Sequence, residues 1–199
     1  KPIVRPKNAG KRGYSTDRPP REKKRATIFF EDEISLSTQG TVHRTWARVG
    51  QRPRCPTLGR KRGVKVFGAI SNQRQFRFRV QTVYFNQVTF TEFLNYFRVQ
   101  VDGHVIMIVD GASYHKGPLV KDFLSKHHKS FELEFLPAYS PELNPQEDVW
   151  KTFRKNHTHN RCFMDTNDLL TATRSRLRSL QRSTALDGVF LECQNYFIQ

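Results

Sequence analysis

The chain has 199 residues, 37% of them hydrophobic and 16 of them Phe, enough for one domain with a sizeable core. Its formal net charge is +16, from 34 Lys and Arg against 18 Asp and Glu. That balance disfavours a cationic partner and favours a polyanion, with nucleic acid first because basic side chains release counterions from phosphates. The three cysteines are scattered at positions 55, 162 and 193, which excludes a disulfide framework and a CxxC metal pair, and they suit a reducing compartment. No apolar stretch reaches the roughly 18 residues of a membrane span, and no signal-peptide core stands near the start.

Residues 1–25 are basic and broken by Pro and Gly, which predicts a flexible arm or linker. Thr27 to Asp32 is a β-type apolar run that ends in acid. Residues 35–49 are polar, with Val42 and Trp46, and predict a hairpin in which Trp46 packs; an aromatic there is also able to stack on a frayed base. Residues 50–63 form a basic loop, and 64–71 and 76–85 read as two further strands. From Thr89 the period changes: Phe90, Phe93, Leu94 and Phe97 recur at three and four, as on an amphipathic helix. Residues 104–110 are nearly all apolar, as in a strand buried on both faces. Helices are expected over 119–128, 144–157 and 166–180, with a strand at 131–136 between the first two. Clustered strands followed by α/β alternation predict a mixed sheet flanked by helices.

Three carboxylates stand out. Asp110 ends the buried strand and precedes Gly111, Ala112 and Ser113; ligands of open α/β sheets bind beyond strand carboxyl ends, yet Asp-Gly also begins ordinary turns. Asp32 sits between Glu31 and Glu33, and alternation points it to the side opposite its neighbours; a solvated strand end reads equally well. Glu147 follows Asn144 and Pro145 where a capping-box acid belongs, and Trp150 and Phe153 anchor the same helix. Three oxygen ligands from two strand ends and a helix start are what Mg²⁺ requires, and two such ions about 3.5–4 Å apart drive in-line attack on phosphorus. His127, His128, His157 and His159 lack Cys partners at zinc spacing.

The segments IFFEDE (28–33), RTWARVGQRP (44–53), VDGASYHK (109–116) and LPAYSPELNPQEDVWKTFR (136–154) resemble the mariner-like superfamily of DDE transposases, in particular its bacterial insertion-sequence branch. The last segment is the most specific, and the interval from Asp110 to Glu147 is short, as in that superfamily. The resemblance runs from about residue 26 to 160. It implies an α/β, RNase H-like fold with a mixed five-stranded sheet flanked by helices. On that reading 26–160 is the catalytic domain, and 161–199 is a C-terminal helical extension of it. Asp32, Asp110 and Glu147 map onto the catalytic, metal-binding positions, with two Mg²⁺ or Mn²⁺ ions as cofactor. Glu33 and Asp148 are the neighbours most easily confused with them. The implied activity is DNA strand cleavage and strand transfer in cut-and-paste transposition. The implied partners are double-stranded DNA, at transposon ends and a TA target, and a second copy when the protein is full length. The implied setting is the bacterial cytoplasm at the nucleoid. Gly111 stands where many relatives carry Asn. Relatives also carry N-terminal helix-turn-helix domains that nothing before residue 26 could form. With the initial Lys, this suggests the catalytic part alone, so a DNA-binding remnant without catalysis is the alternative. A nuclease of RNase H type fits the motifs less well.

Candidate DNA contacts are Arg52, Arg54, Arg60, Lys61 and Arg62 in the basic loop, and Lys116, Lys151 and Arg154 close behind the acidic motifs. Lys155 belongs with the latter group, and Arg174, Arg176, Arg178 and Arg182 are a weaker version of the same pattern. His115, close to Asp110, is open to a phosphate contact, a metal-bound water or plain packing.

Overall fold

The computed structural model describes residues 26–55, 57, 62–138 and 140–195. Its framework is a five-stranded sheet in the order β3-β2-β1-β4-β5. The strands are β1 (Thr27–Ser37), β2 (Gly63–Ser71), β3 (Phe76–Gln81), β4 (Val105–Val109) and β5 (Phe131–Phe135). The helices are α1 (Gln87–Gln100), α2 (Pro118–His127), α3 (Gln146–His157), α4 (Thr166–Gln181) and α5 (Asp187–Asn195). β1 pairs antiparallel with β2 and parallel with β4, so the sheet is mixed, as expected.

Strand β1 is central, and its alternating side chains feed two separate cores. Phe29 joins Phe67, Phe90, Phe93, Phe97 and Phe131 under α1 and α2. Ring contacts hold that side, with Phe29 edge-on to Phe97 at 4.7 Å and Phe67 stacked on Phe93 at 5.0 Å. Phe30, Ile34 and Leu36 face the other way, against Val149, Trp150 and Phe153 of α3 and Leu169 and Leu177 of α4. Leu186, Val189 and Phe190 share this second core. Helix α1 starts where Asn86 accepts from the Val88 and Thr89 amides, a cap that matches the change of period in the sequence. Among the described residues no helix is long and apolar enough to cross a membrane.

Two expectations need correction. Residues 35–49 form no hairpin: β1 runs to Ser37 and spends its pairing capacity on β2, with Ser35 opposite Lys65 and Ser37 opposite Gly63. The chain beyond has one bridge, Gln39 to Cys162, and then runs exposed, with Trp46 99% accessible and not packed. β3 stops at Gln81 because the following residues turn into the α1 cap, where the Thr89 hydroxyl lies within hydrogen-bond reach of the Tyr84 and Asn86 carbonyls. Residues 1–25 lie outside the described residues.

Candidate active site

Asp32 and Asp110 come from adjacent parallel strands. Phe30 is in register with Ile108, so each aspartate lies two residues beyond a paired position at the same end of the sheet. Asp110 stands at the exit of β4, where its Oδ1 accepts the Ala112 amide at 2.9 Å. That bond is the turn the sequence allowed for at Asp110.

Glu147 arrives from the opposite layer, on the first turn of α3. That helix approaches closely because Gly68, the cross-strand partner of Asp32, has no side chain. A Cβ there would lie 2.5 Å from the Trp150 ring and 2.7 Å from Gln146 Nε2. Asn144 ties the helix start to β1: its Nδ2 donates to the Glu31 carbonyl at 2.9 Å and its Oδ1 accepts from the Gln146 amide. The Asn144 side chain thus caps the helix start, while the Asn144 amide donates to the Pro141 carbonyl, so the capping-box role open to Glu147 is not taken up. Burial pushes the Asp32 carboxyl up to about 8, and the negative charges of Glu147, Glu33 and Asp110 add to it. An opposite charge beside Asp32 would lower its carboxyl again.

The odd face of β1 carries different chemistry. Glu31 is 1% exposed, and burial, then the charges of Glu33, Asp32 and Asp110, raise its carboxyl well above the usual range. The fully buried His115 sits on the Ser113–Lys116 turn, with its ring centroid 4.2 Å from that of Phe90. Its Nδ1 is 3.0 Å from Asp110 Oδ1, and its Nε2 is 3.1 Å from Glu33 Oε1. Burial alone would lower this imidazole, but the hydrogen bonds to Asp110 and Glu33 outweigh it and lift it to about 9. Doubly protonated at neutral pH, His115 donates to both carboxylates. The same bond is the leading cause that holds Asp110 below its ordinary value. The Tyr114 hydroxyl donates to Glu33 Oε1 at 2.6 Å, and burial, then the Glu33 charge, push the phenol far up. Glu31, Glu33 and His115 offer ligand atoms that all lie within 4.8 Å of one another, an arrangement able to hold a metal ion.

Of the residues singled out from the sequence, Asp32, Asp110 and Glu147 therefore gather at one end of the sheet. Lys116 is exposed beside them, close enough for its charge to act on Asp110. Lys151 pairs with Asp148 at 2.6 Å, and Arg154 is half-buried on the same helix. Arg52, Arg54 and Arg62 are exposed, while Arg60 and Lys61 lie outside the described residues. Arg174, Arg178 and Arg182 share one groove on α4 with Ser175, Ser179 and Ser183, and Arg176 lies apart from it, its charge felt by His157. Sequence reasoning missed Glu31 and the Glu33–His115–Asp110 chain. The signal available was alternation, which puts residues 31 and 33 on one face; only the fold shows that His115 meets them there.

A family model described as DDE superfamily endonuclease matches residues 27–170. An uncharacterized protein, y4pE/y4sA, of Sinorhizobium fredii (strain NBRC 101917 / NGR234) is 41% identical over 68 residues, 34% of this chain and 47% of that one. The insertion element IS630 uncharacterized 39 kDa protein of Shigella sonnei is 25% identical over 141 residues, 67% of this chain and 39% of that one. The matched parts are thus less than half the length of these curated relatives. Among solved structures, a Mos1 transposase paired-end complex with left transposon end has a TM-score of 0.66 at 14% identity, over 85% of this chain and 52% of that one. The catalytic domain of Mos1 mariner transposase has a TM-score of 0.57 at 12% identity, over 85% and 76%. At such identities the likeness is one of fold, and it bears out the RNase H-like mixed sheet.

Proposed function

The chain belongs to the DDE superfamily endonuclease family, and from that premise we propose that it is a transposase catalytic domain that cleaves and joins DNA with divalent metal at Asp32, Asp110 and Glu147. One observation carries this reading: three carboxylates from β1, the end of β4 and α3 converge, and burial, then the Glu147, Glu33 and Asp110 charges, drive Asp32 up to about 8. An all-oxygen donor set suits Mg²⁺ or Mn²⁺, and two ions fit the reaction class. Mos1 paired-end complexes have been solved with Mg and with Mn. When bound, such ions polarise the phosphate and lower the pKa of an attacking water or 3′-hydroxyl.

The chain's own groups supply position. Asn144 and Gly68 hold Glu147 against Asp32, and His115 orients Asp110. Lys116 and Arg154, with Arg52, Arg54, Arg60, Lys61 and Arg62 of the basic loop, contact phosphates of the duplex, and Lys151 joins them when it leaves Asp148. The same reading gives the complete protein two copies per DNA complex and a bacterial, nucleoid-bound location.

The test is nicking of supercoiled DNA in Mg²⁺ or Mn²⁺, paired with Mn²⁺ binding read by electron paramagnetic resonance. Asp110→Asn should keep its circular dichroism, lose cleavage and bind fewer equivalents of Mn²⁺ than the parent. Cleavage by that variant at the parent rate would overturn the assignment. Salt-sensitive DNA binding with no metal-dependent cleavage by the parent would instead support a DNA-binding remnant.

A further inference from the structure

The face of β1 that points away from Glu147 holds a buried group that the proposed cleavage chemistry does not use. We propose that Glu31, Glu33 and His115 bind a single first-row transition ion of the zinc or manganese class, at a site separate from the catalytic carboxylates.

Three observations lead there. His115 Nε2 lies 3.1 Å from Glu33 Oε1 and 4.0 Å from Glu31 Oε2. Ligands about 2.1 Å from a tetrahedral ion are spaced about 3.4 Å apart, so small side-chain shifts close this set around one ion. Next, both Glu31 carboxylate oxygens are buried with no hydrogen-bond partner among the described residues. A sealed, unpartnered carboxylate beside a second carboxylate is expensive to keep, and a cation between them removes that cost. Last, His115 already makes the bond of a metal-ligating imidazole: its Nδ1–H is given to a carboxylate, Asp110, at 3.0 Å, which leaves Nε2 aimed at the acids. On binding, the Nε2 proton is released to solvent, Nε2 gives its lone pair to the ion, and Tyr114 stays as donor to Glu33.

Donor chemistry separates the two sites. One imidazole with two carboxylates in a dry pocket selects transition ions over Mg²⁺, whereas the Asp32 side offers oxygen alone. The buried ion is structural: it fastens β1 to the turn that carries His115 and so fixes the orientation of Asp110. This inference does not rest on the transposase reading.

Cobalt(II) titration of the chelator-stripped chain tests it through visible d–d absorption. One equivalent should give an intense four- or five-coordinate spectrum, retained in the Asp32→Asn/Glu147→Gln double variant. His115→Gln should weaken binding at least about 10-fold. If His115→Gln fails to fold by circular dichroism, Glu31→Gln, which keeps the buried volume, gives the same readout. Absence of the spectrum in the parent, or its persistence in the variants of His115 and Glu31, would overturn the site. Cleavage is followed in the same double variant: its loss with the cobalt spectrum intact supports both sites, and its survival counts against the catalytic assignment alone.

Discussion

The two faces of β1 carry carboxylates one position apart, Asp32 and Glu33, and use them in opposite ways. Glu33, on the odd face, is sealed in and receives hydrogen bonds from Tyr114 and His115. Asp32, on the even face, meets Glu147 across from it, and its carboxyl is driven up rather than stabilised. Strand alternation alone separates the two environments. The lesson is that Glu33 and Asp32 are sorted by what the opposing layer brings, a histidine and a tyrosine on one side and another carboxylate on the other, whereas Glu31, on the Glu33 face but without a hydrogen-bond donor among the described residues, is driven up by its burial. The sorting also sets the sign of each acid's effect: Glu33 contributes stability, and Asp32 costs it until a cation arrives.

The sharpest way to break this contrast is to neutralise one acid on each face. Glu33→Gln removes an acceptor from a buried, charged His115, and breaking such a pair costs about 3–5 kcal/mol. Urea unfolding at pH 7 reads it. Asp32→Asn should leave metal-free stability unchanged or higher. It should also cut metal-dependent DNA cleavage by at least about 10²–10³-fold, the scale for losing one group that stabilises a transition state. Equal destabilisation by the two variants would refute the difference between the faces.

pH probes the same asymmetry without mutation. Asp32 has a folded value near 8 against an ordinary value near 4, and His115 has one near 9 against 6.5. Both folded values are raised, so the penalty of Asp32 is absent at low pH and grows as pH climbs toward 8, and the stability that His115 contributes is full at low pH and lost as pH climbs through about 9. Metal-free protein should therefore lose thermal stability from about pH 5 to 9, by at most about 1.4 kcal/mol per group per pH unit. Mg²⁺ should restore more at pH 8 than at pH 5, where protons already occupy Asp32. A flat melting profile over that range, with and without Mg²⁺, would contradict the assigned shifts.

The close approach of α3 is the next effect in size. Gly68→Ala sets a Cβ 2.5 Å from the Trp150 ring, which is packed and has no flexible end to swing aside. Overpacking of this kind costs about 1–3 kcal/mol. It also moves Glu147 away from Asp32, so cleavage should fall more than the loss of stability explains. Wild-type cleavage from a destabilised Gly68→Ala protein would show that α3 need not sit so near.

Much of this was open to the sequence, and the reasons differ by residue. The Phe90–Phe97 period and the apolar run into Asp110 report local geometry, so α1 and β4 are predictable from them. The side of β1 on which Asp32 falls follows from alternation. That Asp32 and Asp110 lie side by side depends on parallel pairing of β1 with β4 across many residues, which no local pattern encodes; there the family resemblance, borne out by the match over 27–170, carried the reading. Trp46 misled because an isolated aromatic among polar residues suggests packing, whereas β1 takes its partner from β2 instead of a local hairpin. His115 was ambiguous because its meaning lies in Glu33, which meets it only through tertiary structure.

The smallest effect separates two lysines that the sequence treats alike. Lys116 is exposed, lies 5.0 Å from the Phe135 ring centroid and projects its charge toward Asp110. Lys151 is held by Asp148 at 2.6 Å on the exposed flank of α3. Surface pairs of the second kind are worth only about 0–1 kcal/mol, so Lys151→Ala should change stability little. A phosphate running past the carboxylates meets Lys116 first, because it stands on the Asp110 side with its charge already turned to the site. Lys116→Ala should then weaken DNA binding uniformly across sequences and lower the slope of log affinity against log salt by about 1. Lys151→Ala, whose charge is partly spent on Asp148, should lower it by less. Equal slopes for the two variants would place the duplex elsewhere than across the Asp110 end of the sheet.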